Sequence, residues 1–269
     1  MTQGISLHIG LNSVDPGHYG GWDGQLVACE NDANDMEAIA RSKNFKTSLL
    51  LTNQATRNTV IGKIQSVAKQ LNSGDIFLLT YSGHGGQLPD TSGDEDDGLD
   101  ETWCLFDGEL VDDELYALWP SFASGVRILV FSDSCHSGTI LKVAAQRQAI
   151  IANKLQVYKC MPDDIASRTY HQNKTFYDAI LKKIPKDVPI GASAKLISGC
   201  QDNQLSSDGP FNGLFTGTLK QVWNGGQFKG NYAEFCSKIV ARMPPDQTPN
   251  LYNVGVPNSS FDNQIPFTI

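Results

Sequence analysis

Apolar positions along the chain fall into two kinds of run. Continuous apolar runs at Ile5–Leu11, Asp75–Tyr81 and Val126–Ser132 predict strands buried on both faces of a sheet. Lys46–Leu51 and Ala194–Ser198 read as further short strands. Between them, apolar residues recur at helical spacing. Met36, Ile39 and Ala40 mark a helix over Asn31–Ser42, and Val60, Ile64, Val67, Ala68 and Leu71 mark one over Thr56–Leu71. Asp112–Leu118, Phe211–Val222 and Tyr232–Ala241 also read as helices. Alternating strands and helices imply an α/β class, a mostly parallel central sheet with helices on both faces. Two segments break the pattern. Gln87–Glu101 is rich in Asp and Gly and predicts an exposed loop. Thr139–Pro189 is basic and weakly periodic, and reads as a long surface excursion with some helix near Phe176–Lys182.

Composition narrows the function classes. The 269 residues carry a formal net charge of −8, which argues against nucleic acid as the main partner, because phosphate binding needs clustered Lys and Arg. Hydrophobic residues make up 40%, enough for a core without a disulfide or metal staple. The N-terminus has neither a basic nor an apolar stretch, so no secretory signal is expected, and no apolar run reaches membrane-spanning length. Cysteines at 29, 104, 135, 160, 200 and 236 form no CxxC pair, so a reducing, cytoplasmic setting is the expectation.

The chemistry sits at two strand ends. The strand ending at Tyr81 runs into Ser82-Gly83-His84-Gly85-Gly86-Gln87, and the strand ending at Ser132 runs into Asp133-Ser134-Cys135-His136-Ser137-Gly138. Both boxes thus reach the carboxyl edge of the sheet, where open α/β folds place their sites. A thiol is a weak nucleophile until it loses its proton, and a neighbouring imidazole can take that proton and return it to a leaving amine. Cys135 is therefore the expected nucleophile and His84 its base. The backbone N–H groups of Gly85 and Cys135 are the expected oxyanion hole. His136, beside Cys135, reads as structural, and His8, His18 and His171 as packing or solvent residues.

These two boxes, 51 residues apart from His84 to Cys135, resemble those of metacaspases and the bacterial orthocaspases, relatives of the caspases. The resemblance extends to the acidic stretch Gly93–Glu101, to Leu110–Leu115 and to Ser198–Gln204, and so covers most of the chain. It implies the caspase-hemoglobinase fold in one domain over 1–269: a large-subunit-like part to about 140, a linker over about 141–190 and a small-subunit-like part from about 191. It implies a cysteine endopeptidase that cleaves proteins after Arg or Lys. The primary pocket would be formed by Cys29, Asp32, Ser82 and Asp133, whose carboxylates suit a cationic side chain. Asp32 can also be read as a helix N-cap. The resemblance further implies a monomer.

The family's calcium ligands would fall at Asp100, Asp112 and Asp113, but the family's further aspartate is Lys142 here. A lysine cannot ligate calcium, so no cofactor is expected to be required. Asp112 also reads as a helix cap. The linker carries Lys142, Arg147, Lys154, Lys159 and Arg168, each suited to a basic pocket, and self-cleavage of a zymogen there is expected. The chain opens on its first strand, so no prodomain is expected and control would lie with a partner. A catalytically silent caspase-like module that acts by binding is the competing reading. It is disfavoured because both His84 and Cys135 are present.

Overall fold

The computed structural model describes residues 2–90, 98–135, 157–185, 188–200, 204 and 206–269. In chain order these form β1 (Gly4–Gly10), α1 (Cys29–Ser42), β2 (Lys46–Leu51), α2 (Arg57–Ala68), β3 (Ile76–Ser82), β4 (Gly85–Pro89), β5 (Leu99–Leu105), β6 (Gly108–Val111), α3 (Asp112–Tyr116), β7 (Arg127–Asp133), α4 (Asp163–Gln172), α5 (Lys174–Leu181), β8 (Ser193–Ser198), α6 (Leu214–Trp223), α7 (Tyr232–Val240), β9 (Asn250–Gly255) and α8 (Ser259–Asn263).

The main sheet has the order β2-β1-β3-β7-β8-β9, parallel except for β9. Its central strands alternate between two cores, as a pleated strand must. Phe77, Leu79, Ile128 and Val130 face a cluster built with Val60 and Ile64 of α2. Ile76, Leu78, Leu129 and Phe131 face one built with Met36 of α1, Phe215 and Leu219 of α6, and Phe235 of α7. Helices therefore cover both faces, which is why these strands read as unbroken apolar runs. Gly10 marks a close approach: a Cβ there would lie 2.3 Å from the Cys29 carbonyl oxygen at the start of α1.

Two expectations need correction. Gln87–Glu101 is not simply an exposed loop. Gly85–Pro89 pairs antiparallel with Leu99–Leu105 in a three-stranded satellite sheet, β4-β5-β6. Leu88 and Leu105 are both buried, on opposite faces of this sheet. Thr139–Pro189 is not a surface excursion where it is described. Lys159, Cys160 and Met161 run through the interior, and α4 and α5 come after them, with Tyr170 and Tyr177 packed on Leu88 and Val111. His136, Lys142, Arg147 and Lys154 lie outside the described residues, as does the acidic stretch 93–97. Among the described residues no helix is long and apolar enough to cross a membrane.

Candidate active site

β3 and β7 are adjacent and in register, with Ser82 opposite Asp133. Their carboxyl ends therefore deliver His84 and Cys135 to the same edge. His84 is fixed on one side by its Nε2, 3.1 Å from the Gly24 carbonyl oxygen, and its ring lies 4.7 Å from that of Trp22. A carbonyl oxygen only accepts, so Nε2 carries the proton and Nδ1 keeps a lone pair in the neutral ring. That Nδ1 is buried and has no hydrogen-bond partner among the described residues. Gly24 has φ +54, and a Cβ there would sit 3.1 Å from the His84 ring.

Four of the expected pocket residues form one buried cluster, and it is filled by the chain itself. Lys159 enters with its Nζ 2.9 Å from Asp32, 3.1 Å from Asp133 and 2.9 Å from Ser82 Oγ. Its side chain is 0% exposed. Burial works against its charge, but Asp133 and Asp32 outweigh that and hold its pKa well above the usual lysine value. Cys29, fully buried, lies in the same electrostatic neighbourhood. Asp32 does not cap its own helix: Ala28 is the N-cap of α1. Instead Asp32 accepts from Ser82 Oγ, Asn212 and the Gly213 N–H at the N-cap of α6. Asp133 accepts from Ser206 Oγ and from Thr216 in the first turn of α6. A helix N-terminus favours negative charge, and the N-terminus of α6 is turned toward both carboxylates. At Gly213 a Cβ would lie 2.3 Å from Lys159 Nζ, so this wall of the pocket admits no side chain.

The backbone around Lys159 is seated as an added strand. Its N–H donates to Ser206 O at 2.9 Å, and Asp208 N–H donates to Val157 O at 2.7 Å, with Tyr158 bridged antiparallel to Ser207. On the other side Cys160 bridges parallel to Gly85, and Met161 N–H donates to Gly85 O at 2.8 Å. Between the two, the Lys159 carbonyl oxygen accepts from both Gly85 N–H and Cys135 N–H, each at 3.0 Å. These are the two donors expected of the oxyanion hole. The Lys159–Cys160 peptide bond thus lies where two N–H groups would stabilise negative charge on its oxygen.

With this segment seated, Cys135 and His84 are both buried. Burial drives the Cys135 thiol well above its ordinary pKa, opposed by the Cys160 thiol and the Ser206 backbone. Burial lowers His84 to about 3, with the Lys159 charge adding to the effect and the Gly24 carbonyl opposing it. Both groups are neutral here. The Ser206 N–H points at Cys135 Sγ from 2.7 Å, a donor able to stabilise a developing thiolate.

Several contributors carried no sequence signal. Trp22 and Gly24 belong to a glycine-rich stretch that fits no nucleotide-binding spacing, and Gly24 acts through its carbonyl, a group every residue has. Ser206 and Asp208 pair with the 157–159 segment through backbone, which any residue can do. Lys159 was one basic residue among several. As for the expected calcium ligands, Asp100 is buried on β5, and Asp112 and Asp113 open α3, where Val111 is the N-cap. Among the described residues no three His, Cys, Asp or Glu side chains are grouped closely enough to hold a metal ion.

A family model described as the caspase domain, Peptidase_C14, matches residues 13–260. Metacaspase-1A of Aspergillus oryzae is 28% identical over 250 residues, covering 80% of this chain and 58% of that protein. Metacaspase-1 of Coccidioides immitis is 36% identical over 151 residues, covering 51% of this chain and 31% of that protein. The chain thus spans less than two thirds of the length of these curated relatives. The crystal structure of protein GSU0716 from Geobacter sulfurreducens superposes with a TM-score of 0.91 at 58% identity, covering 99% of this chain and 98% of that one.

Proposed function

Because the chain belongs to the caspase-domain family, the caspase-like and metacaspase cysteine peptidases, we propose that it is an endopeptidase that cleaves after Arg or Lys and whose first substrate is its own Lys159–Cys160 bond. The observation that carries this reading is the seating of Lys159, side chain between two carboxylates and carbonyl oxygen on two backbone N–H groups.

In this reading Cys135 attacks the Lys159 carbonyl carbon. Its proton passes to His84 Nδ1, and the oxygen gains charge against the Gly85 and Cys135 N–H groups. Collapse breaks the C–N bond, and Nδ1 returns the proton to the Cys160 nitrogen as it leaves. The Nε2–Gly24 bond keeps the ring oriented throughout. Water then releases Lys159 as a carboxylate. Departure of the 157–159 strand empties the pocket for an Arg or Lys side chain from another protein, which the same carboxylates receive by charge-assisted hydrogen bonds. An Asp side chain would meet two negative charges. Lys142, standing where the family has an aspartate, leads to a calcium-independent enzyme in this proposal.

Fluorogenic peptides ending in Arg, Lys or Asp test the reading directly. Wild type should release dye after Arg and Lys, with and without chelator, and Cys135→Ala should release none. Release after Asp would overturn the pocket assignment. Silence of wild type toward every peptide would favour the binding module.

A further inference from the structure

The residue after the cleaved bond is a cysteine, and this has a chemical consequence that a different residue would not bring. Cleavage at Lys159 leaves a thioester on Cys135 and an N-terminal cysteine at Cys160. We propose, resting on the self-processing reading, that this thioester is resolved by the aminothiol of an N-terminal cysteine as well as by water, so that the chain is a peptide ligase for cysteine-initiated peptides.

The geometry keeps the aminothiol in place. Cys160 is buried, and its thiol borders the Cys135 thiol. After cleavage the bridge to Gly85 and the Met161 N–H···O bond still hold the new N-terminus in line. The chain beyond Met161 is anchored too. The Tyr177 hydroxyl lies 2.7 Å from His18 Nε2, Asn173 donates to the His18 carbonyl, and Arg168 donates to Gly20 O. The leaving group is therefore tethered beside the thioester rather than lost to solvent, which presents an aminothiol to the acyl carbon, and a free cysteine peptide competes for that place when it is in excess. A cavity of about 390 Å³ opens on this side, lined by Gly86, Pro89, Leu99, Met161, Ala166 and Tyr170, and gives an incoming peptide room beyond its first residue.

The steps balance without an oxidant, a nucleotide or a metal. The Cys160 thiol gives its proton to His84 and its sulfur bonds to the Lys159 carbonyl carbon. The bond from that carbon to Cys135 Sγ breaks, and Cys135 takes the proton. Lys159 is now a thioester on Cys160. The Cys160 amine, two carbons from the sulfur, attacks the same carbonyl through a five-membered ring. The C–S bond breaks, the surplus amine proton moves to the Cys160 sulfur, and the peptide bond is restored. A second peptide with an N-terminal cysteine enters the same sequence and is joined to Lys159 instead. A serine or alanine at that position lacks the thiol and can react only through its amine.

The test uses the full-length chain in a phosphine reductant with an excess of dye-labelled peptide reading Cys-Met-Pro, against the same peptide reading Ser-Met-Pro. The proposal expects dye on the fragment ending at Lys159, through a linkage that survives hydroxylamine and so is an amide. Labelling should be about tenfold or more higher with the cysteine peptide, since the thiol is the better attacking group, and absent in Cys135→Ala. A fragment that ends only as the free Lys159 carboxylate, or equal labelling by both peptides, would overturn ligation while leaving self-processing intact. Absence of any cut after Lys159 would overturn the parent reading, and ligation with it.

Discussion

Lys159 illustrates why a buried ion pair is a poor stabiliser and a good latch. Taking the ammonium and two carboxylates out of water costs several kcal/mol per ion, and close pairing roughly recovers that. If the bond beyond Lys159 is cut as proposed, the pocket would exchange this lysine for another cation at little net cost, as a substrate site requires. The buried histidines work differently. His8 on β1 is held between Thr80 and Ser6, and burial lowers its pKa from 6.5 to about 3. The unfolded chain binds this proton below pH 6.5 and the folded chain does not, so His8 costs stability as pH falls from 6.5 toward 3. The loss is about 1.4 kcal/mol per pH unit. Urea titrations of wild type and His8→Gln should therefore converge as pH drops from 7 to 5. A constant gap between them would contradict this assignment.

At the scale of elements, the sequence was most legible where burial is two-sided. β1, β3 and β7 are continuous apolar runs because helices cover both faces, and the boxes carrying His84 and Cys135 follow from where those runs end. β4, β5 and β6 were not legible. Gly85-Gly86-Gln87 and Asp100-Glu101-Thr102 carry turn-like residues, and their pairing is a tertiary event that no local period announces. β9 is a half-exposed edge strand with polar Asn250 and Asn253 interrupting its apolar positions, so it alternates weakly. The Lys159 strand was hidden for the same reason: its partners Ser206 and Asp208 are distant in sequence. The segment holding Trp22 and Gly24 has a testable task. Trp22→Ala should leave the acidic pocket intact and free the His84 ring, so kcat on a Lys peptide should fall about 10- to 100-fold, since small misplacements of a reacting group are costly. KM should change little. A large rise in KM with kcat unchanged would mean that Trp22 serves binding instead.

The whole molecule is arranged so that a cut after Lys159 need not divide it. β7 and β8 lie on opposite sides of the cut in sequence and pair from Arg127–Ser193 to Ser132–Ser198 in the central sheet. Phe215, Leu219 and Phe235 from the later part share a core with Met36, Leu78 and Phe131 from the earlier part. Residues 1–159 and 160–269 should therefore co-elute on gel filtration after processing and separate only in denaturant. Elution as two independent species in native buffer would contradict this. The central claim is narrower, that the chain reads its own Lys159–Cys160 bond as substrate. Intact mass analysis of wild type, Cys135→Ala and Lys159→Ala after the same incubation tests it most directly. The account predicts fragments ending at Lys159 and beginning at Cys160 in wild type, and one uncut chain in both variants. A wild-type chain cut elsewhere, or the same cut in Cys135→Ala, would contradict it.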